Sequence, residues 1–334
     1  MPRGCRCLRT EAASRRLSRV KTLQTYSNLA KADKGAVIAL GNFDGLHRGH
    51  QAVIARAQVI ADEINAPLGI GLFRPHPYRF FKPGAPPFRL MSPRIRAQVM
   101  AELGVKFLYE IPFDEALRDM DDTQFVEQVL HQGLGIRHVI VGEDYGFGKN
   151  RCGNVDSLTR LCAERGIGVT AIAPVGLHKL YGKYGSTEIR KALQDGDVFH
   201  AQHMLSRPWI VDGIVQQGQR RGRTINFPTA NLEFGDLVRP KFGVYVVEVQ
   251  IEGEKMWRPA VANTGSRPTV EGEAARLEVH LLDFNRDLYG QHIDVRFRSF
   301  IRAEKKFESF EALKKQIQRD ADGARAILGI SKES

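Results

Sequence analysis

The chain of 334 residues contains only four cysteines and two tryptophans, and it has no long hydrophobic run. A membrane helix needs about 20 successive apolar residues, whereas the longest runs here, such as Gly35–Leu40 and Leu68–Phe73, are strand-sized. No membrane partner is therefore expected. Cys5, Cys7, Cys152 and Cys162 have neither a metal-ligand spacing nor the density of a disulfide framework. A reducing, cytoplasmic setting is expected from that usage. There is no internal repeat and no long flexible linker. With 43% apolar and 26% charged residues, the composition excludes a disordered acidic chain, a collagen and a low-complexity array. What is left is a soluble globular protein, and at roughly 100–200 residues per domain its length predicts two domains.

Charge of one sign is also unevenly spread. The net charge is +11, but residues 1–34 carry nine Lys/Arg against Glu11 and Asp33, so this tenth of the chain supplies most of it. The segment is Arg-rich, poor in acids and dotted with Ser. It reads either as an organellar transit peptide or as a dispensable extension or over-extended start. Residues 1–34 are thus expected to be a disordered basic extension. The modest charge elsewhere suits an enzyme for phosphorylated ligands as well as a nucleic-acid binder; no nucleic-acid partner is expected.

Two textures follow. From Gly35 to about Leu205, strand-like runs alternate with helical patterns. Strands are expected at Gly35–Leu40, Leu68–Phe73, Val105–Ile111, His138–Val141 and Val169–Ala173. Helices are expected at Gln51–Ile64, Arg94–Leu103, Thr123–Leu130, Val155–Arg165 and Thr187–Leu193. Repeated βα units imply a parallel sheet covered on both faces, with ligands at the carboxyl ends of its strands. From Trp209, short alternating segments at Trp209–Val215, Val244–Ile251, Arg258–Asn263, Arg276–Leu282 and His292–Phe297 suggest a small antiparallel barrel or sandwich. A helix with Ser309 as N-cap closes the chain. The boundary falls near Arg207–Pro208, giving domains at 35–206 and 207–328.

The segment Gly41-Asn42-Phe43-Asp44-Gly45-Leu46-His47-Arg48-Gly49-His50 joins the first of these strands to the first helix. Its glycines permit tight turns and close approach of phosphates, and unpaired N–H groups at the helix start favour an anion. His47 and His50, three apart, project to one side of the first turn. Two imidazoles there can stabilise charge growing on a leaving pyrophosphate while a phosphoryl oxygen attacks the α-phosphorus in line. The pattern resembles the His-x-Gly-His signature of the nucleotidyltransferase superfamily.

In the second domain, Gly218-Gln219-Arg220-Arg221-Gly222-Arg223 can wrap polyphosphate with backbone N–H groups and guanidinium forks. Thr229 and Asn231 offer hard oxygen ligands for Mg²⁺, which shares its shell with substrate phosphates. Read alone, this stretch is equally compatible with a basic RNA-binding loop and an Asn turn.

Further stretches join these: Phe73-Arg74-Pro75-His76-Pro77, Gly142-Glu143-Asp144-Tyr145-Gly146-Phe147-Gly148, Ser186-Thr187-Glu188-Ile189-Arg190, Ala262-Asn263-Thr264-Gly265 and Leu277-Glu278-Val279-His280-Leu281-Leu282-Asp283. Together, over about residues 35–328, the chain resembles the bacterial bifunctional riboflavin kinase/FAD synthetase family. That resemblance implies an α/β nucleotidyltransferase domain with a Rossmann-like parallel sheet, followed by a riboflavin kinase β-barrel with a C-terminal helix. It implies riboflavin, FMN and ATP as substrates, FAD as product, Mg²⁺ as cofactor, and a monomer or weak homo-oligomer. In the first domain, Gly41, Asn42, Phe43, His47, Gly49, His50, Ser186, Thr187 and Arg190 would hold ATP, with His76 and Asp144 placing FMN or the reacting phosphates. In the second, Gly218, Arg221, Gly222, Arg223, Thr229 and Asn231 would hold ATP, Thr229 and Asn231 the metal, and Arg302 the flavin. Glu278 would be the base that takes the riboflavin 5′-hydroxyl proton. One departure stands out: Tyr184-Gly185-Ser186-Thr187 replaces the family's Ile-Ser-Ser-Thr, which removes a hydroxyl and suggests altered ATP affinity.

Two other readings remain open at this level. One is a nucleotidyltransferase for a different phosphorylated substrate, with the barrel as a binding appendage. The other is a nucleic-acid-binding role driven by the basic tail.

Overall fold

The computed structural model describes residues 19–174, 177–178, 182–216, 229–269 and 272–331. Six strands, β1 (Lys21–Leu23), β2 (Val37–Leu40), β3 (Leu68–Arg74), β4 (Phe107–Pro112), β5 (His138–Gly142) and β6 (Gly168–Ile172), form an all-parallel sheet in the order β1-β4-β3-β2-β5-β6. All four residues of β2 are buried, as a strand covered on both faces requires.

The crossovers run through α1 (Arg48–Glu63), α2 (Pro77–Phe81), α3 (Pro93–Glu102), α4 (Glu115–Asp119), α5 (Asp122–Gln124), which continues as a π-helical segment (Phe125–Gly133), and α6 (Val155–Ala163). On one face, Ile54, Ala57 and Ile60 of α1 and Ile95, Val99 and Met100 of α3 pack with Val37, Ala39 and Ile70. On the other, Val126, Val129 and Leu130 of the π-helical segment and Leu158 and Leu161 of α6 pack with Ile38, Leu40 and Tyr109. From β2 the chain builds outward through β3 and β4 on one side, then through β5 and β6 on the other. That reversal opens a crevice at the carboxyl end of β2.

Residues 21–23 correct one expectation. They do not belong to a disordered extension: Lys21, Thr22 and Leu23 pair with Phe107, Leu108 and Tyr109 as the edge strand. The Lys21 ammonium donates to the Asp33 carboxylate at 2.6 Å, which anchors the lead-in to β2. Residues 1–18 lie outside the described residues.

After a two-stranded hairpin, β7 (Leu177–His178) and β8 (Gly182–Lys183), come α7 (Ser186–Asp195) and α8 (Val198–Leu205). The second sheet contains β9 (Ile210–Ile214), β10 (Ala230–Glu233), β11 (Gly243–Ile251), β12 (Trp257–Thr269), β13 (Gly272–Leu281) and β14 (His292–Ala303), in the order β10-β13-β12-β11-β14-β9. Every pairing is antiparallel, and a Gln216–Asn231 bridge joins the two ends, making the sheet a nearly closed barrel. Closure removes exposed strand edges. Helix α9 (Phe310–Leu328) covers the barrel, and the Ser309 hydroxyl accepts from the Ala312 N–H as its N-cap.

The two units share a core. Ile189 and Leu193 of α7 and Val198, Met204 and Leu205 of α8 pack with Trp209, Tyr245 and Phe297 of the barrel. The seam is polar at its edge. Arg94 of α3 pairs with Asp212 at 3.0 Å and also with Asp294, and His292 lies beside both acids. A fixed guanidinium therefore meets the charge of this Asp-His-Asp group.

Candidate active site

A cleft of about 800 Å³ lies where the sheet order reverses. Strand ends supply its floor: Leu40 of β2, Phe73 of β3, Phe113 after β4, Gly142 of β5 and Ile172 of β6. Among the anticipated residues, Gly41, Asn42, Phe43, His47, Gly49, His50, Asp144 and Ser186 line it. Phe43 and Leu46 are both buried with φ of 45°, the left-handed region. Such conformations cost energy and persist only where surrounding packing imposes them; here they shape the loop between β2 and α1.

His47 is the N-cap of α1. Its Nδ1 accepts from the His50 N–H at 3.3 Å, so the neutral ring carries its proton on Nε2. The two imidazoles stack with centroids 3.7 Å apart and planes 21° apart. A Cβ on Gly49 would stand 3.1 Å from the His47 ring, so any larger residue would crowd that ring where it folds back over the helix start. Burial, reinforced by Arg207 and Arg190, pushes the His47 pKa down to about 4. Burial and the adjacent His47 hold His50 well below its ordinary value. The His50 Nδ1 is buried and has no hydrogen-bond partner among the described residues. Two neutral rings at a helix N-terminus, one with an orphaned polar atom, form a site suited to an anion.

The remaining residues of this set behave differently. Arg190 does not line the cleft. Its Nη2 donates to the buried Asp44 carboxylate at 2.6 Å and its Nε to the Phe88 carbonyl at 2.6 Å. Burial raises the Asp44 pKa, and Arg190 opposes that rise. The Ser186 hydroxyl donates to the Asp44 carbonyl at 2.9 Å. Ser186 and Arg190 thus fasten α7 to the loop after β2, while Thr187 is exposed. His76 caps α2, its Nδ1 accepting from the Tyr78 N–H at 3.1 Å; burial, then Arg89 and Arg190, push its pKa down to about 4. The Asp144 side chain lies against Gly142.

Sequence reasoning passed over Asp44, although it stands inside the quoted motif, and also the aromatic wall. Phe73, Phe81, Phe113, Phe125, Tyr145 and Phe147 all line the cleft, and the Tyr145 hydroxyl is buried without a partner among the described residues. Such walls suit a flat conjugated ligand. The aromatics are scattered between positions 73 and 147, so no local pattern groups them.

In the barrel, Asn231 of β10 sits directly opposite Glu278 of β13, and Asn263 of β12 faces Glu278 from the other side. Cross-strand neighbours share a face, so one exposed carboxylate stands between two carboxamides. The Asn231 Nδ2 donates to the Thr229 carbonyl at 3.4 Å, leaving its amide oxygen as the available hard donor. Gly218, Arg221, Gly222 and Arg223 lie outside the described residues. Arg302 pairs with Asp320 of α9, Nη2 to Oδ2 at 2.7 Å, and its guanidinium lies over the Phe307 ring.

Residues 29–183 match the family model for FAD synthetase, and residues 205–328 match that for riboflavin kinase. A bifunctional riboflavin kinase/FMN adenylyltransferase from Pseudomonas fluorescens is 41% identical over 91% of this chain and 96% of its own length. Its counterpart from Escherichia coli strain K12 is 38% identical over 94% and 99%, and that from Bacillus subtilis 35% over 86% and 91%. The crystal structure of a macrolide-efflux protein from Streptococcus pneumoniae superimposes with a TM-score of 0.82 at 30% identity, covering 92% of this chain and 99% of that one. Among the described residues, no helix is long and apolar enough to cross a membrane. With both units matched, in order and over nearly the whole length of its relatives, the chain belongs to the family of bifunctional riboflavin kinase/FMN adenylyltransferases.

Proposed function

We propose that the chain makes FAD from riboflavin in two ATP-dependent steps at two separate sites. In the barrel, the riboflavin 5′-oxygen attacks the γ-phosphorus of ATP, its proton passes to Glu278, and FMN and ADP leave. In the cleft, an FMN phosphate oxygen attacks the α-phosphorus of a second ATP, the α–β phosphoanhydride bond breaks, and FAD and pyrophosphate leave. The observation that carries this reading is the coexistence of two chemically distinct constellations. One is a stacked neutral histidine pair at a helix start beside an aromatic wall. The other is a carboxylate held between two carboxamides in a barrel.

His47 and His50 are neutral donors that gain basicity as phosphate charge approaches, so they stabilise the departing pyrophosphate most when its charge is greatest. Gly41, Asn42, Phe43 and Gly49 let the nucleotide approach the backbone. Thr187 and His76 bound the phosphate region, and the aromatic wall takes the isoalloxazine rings. The Ser186 and Arg190 contacts hold α7 where its first-turn N–H groups meet the triphosphate. In the barrel, the residues at 218–223 cradle ATP, and Arg302 exchanges its carboxylate partner for the flavin. A Mg²⁺ ion would be held by the oxygens of Thr229 and Asn231, a neutral hard donor set that fits an ion sharing its shell with ATP. When bound it neutralises phosphate charge. We read the protein as monomeric or weakly self-associating.

The test is product analysis. Purified protein incubated with riboflavin, ATP and Mg²⁺ is expected to convert riboflavin to FMN and then FAD, resolved by chromatography. Accumulation of FMN alone, or no reaction of riboflavin while FMN is adenylylated, would refute the two-step reading.

A further inference from the structure

Residues 88–90 connect the two units with all their backbone polar groups paired. The N–H groups of Phe88 and Arg89 donate to the Asp236 carbonyl at 3.1 and 3.0 Å. The Arg89 carbonyl accepts from the Val238 N–H at 2.8 Å, and the Leu90 carbonyl accepts from the Trp209 indole N–H at 2.8 Å. Those four bonds reach the barrel unit. The Leu90 N–H donates to Asp44 at 2.9 Å and the Phe88 carbonyl accepts from Arg190 at 2.6 Å, and these two reach the cleft loop and α7. One short segment is thus stitched to both units.

Asp236 lies between β10 and β11, in the barrel unit. Besides its carbonyl contacts, its carboxylate accepts from the Arg79 Nη2 and from the Arg89 Nε at 2.9 Å. Arg79 belongs to α2, the helix that His76 caps. The Phe88 ring is the hub: His76 and Tyr78 each meet it edge-on with centroids 5.1 Å apart. The guanidinium carbons of Arg79 and Arg190 each lie 5.4 Å from its centroid. The Asp236 charge also counters Arg89 and Arg190, whose fields both bear on His76.

We propose that Asp236 is a positioning residue for adenylyl transfer, supplied to the cleft by the kinase unit. It fixes Phe88 through its backbone and Arg79 and Arg89 through its carboxylate, and so sets where His76 and Arg190 stand. The proposal rests on the reading that His76 and Arg190 serve the adenylyl-transfer site. Asp236 itself does not line the cleft.

The experiment uses the full chain and assays each step separately, giving FMN with ATP or riboflavin with ATP. Asp236→Ala is expected to lower kcat/KM for FMN adenylylation three- to tenfold, mainly through KM for FMN, while riboflavin phosphorylation stays within twofold. Asp236→Glu, which keeps the charge, is expected to recover most of the loss. An Asp236→Ala protein with unchanged adenylylation, or with both steps reduced equally, would overturn the proposal, as would a loss carried by kcat alone. A wild-type protein that makes no FAD from FMN would instead overturn the underlying reading and the proposal with it.

Discussion

At the residue scale, the decisive feature is a pair of imidazoles kept neutral by burial. His47 is almost fully buried, and its folded pKa of about 4 lies below the ordinary 6.5. As pH falls, the unfolded chain therefore takes up a proton before the folded one does. The stabilising difference is fully present above pH 6.5 and is lost progressively as pH falls towards 4. For a single imidazole it amounts to about 3 kcal/mol. Urea midpoints are accordingly expected to fall between pH 7 and pH 5. His47→Asn retains an N-cap acceptor without a titrating ring, so it should flatten that dependence. An equally steep dependence in this variant would contradict the assignment.

At the element scale, the sequence motifs and the structure agree where one element carries the signal by itself. Helix α1 begins at Arg48 and ends at Glu63, three residues earlier and one residue earlier than the periodicity of Val53, Ile54 and Ile60 places it, because His47 provides its own cap. Ser309 caps α9 as its position before an apolar stripe requires. Helices α2, α4 and α8 are five, five and eight residues long, too short for periodicity to register. Strand β10 spans only four residues, which hides its alternation. The links of Arg190 to Asp44 and of Asp236 to Phe88 join positions more than a hundred residues apart. Nothing local encodes them, although each partner's residue type fits its role.

Helix α7 also carries the chain's departure from its family. Gly185 is its N-cap and offers no side-chain acceptor; the Glu188 carboxylate occupies the space where a Cβ would stand. Gly185→Ser would displace that flexible side chain and return a hydroxyl to the helix start, where Ser outranks Gly as a cap by a few tenths of a kcal/mol. KM for ATP in the adenylylation step is expected to fall two- to fivefold, with the kinase step unaffected. An unchanged KM for ATP would show that the missing hydroxyl does not tune nucleotide binding.

At the scale of the whole molecule, the parallel sheet and the barrel put the two sites on different architectures but share a core through α7, α8 and Trp209. A parallel sheet offers a crevice only at its strand ends, where triphosphate and flavin can lie side by side. A closed barrel instead presents alternating residues on a single face, where Glu278 stands between Asn231 and Asn263. The central claim is that each architecture performs its own step. Product analysis of two variants tests it most directly. Glu278→Gln should leave riboflavin unconverted yet still turn supplied FMN into FAD. Combined His47→Ala and His50→Ala should accumulate FMN without FAD. If either folded variant loses both conversions, or if neither variant loses one, the account is wrong.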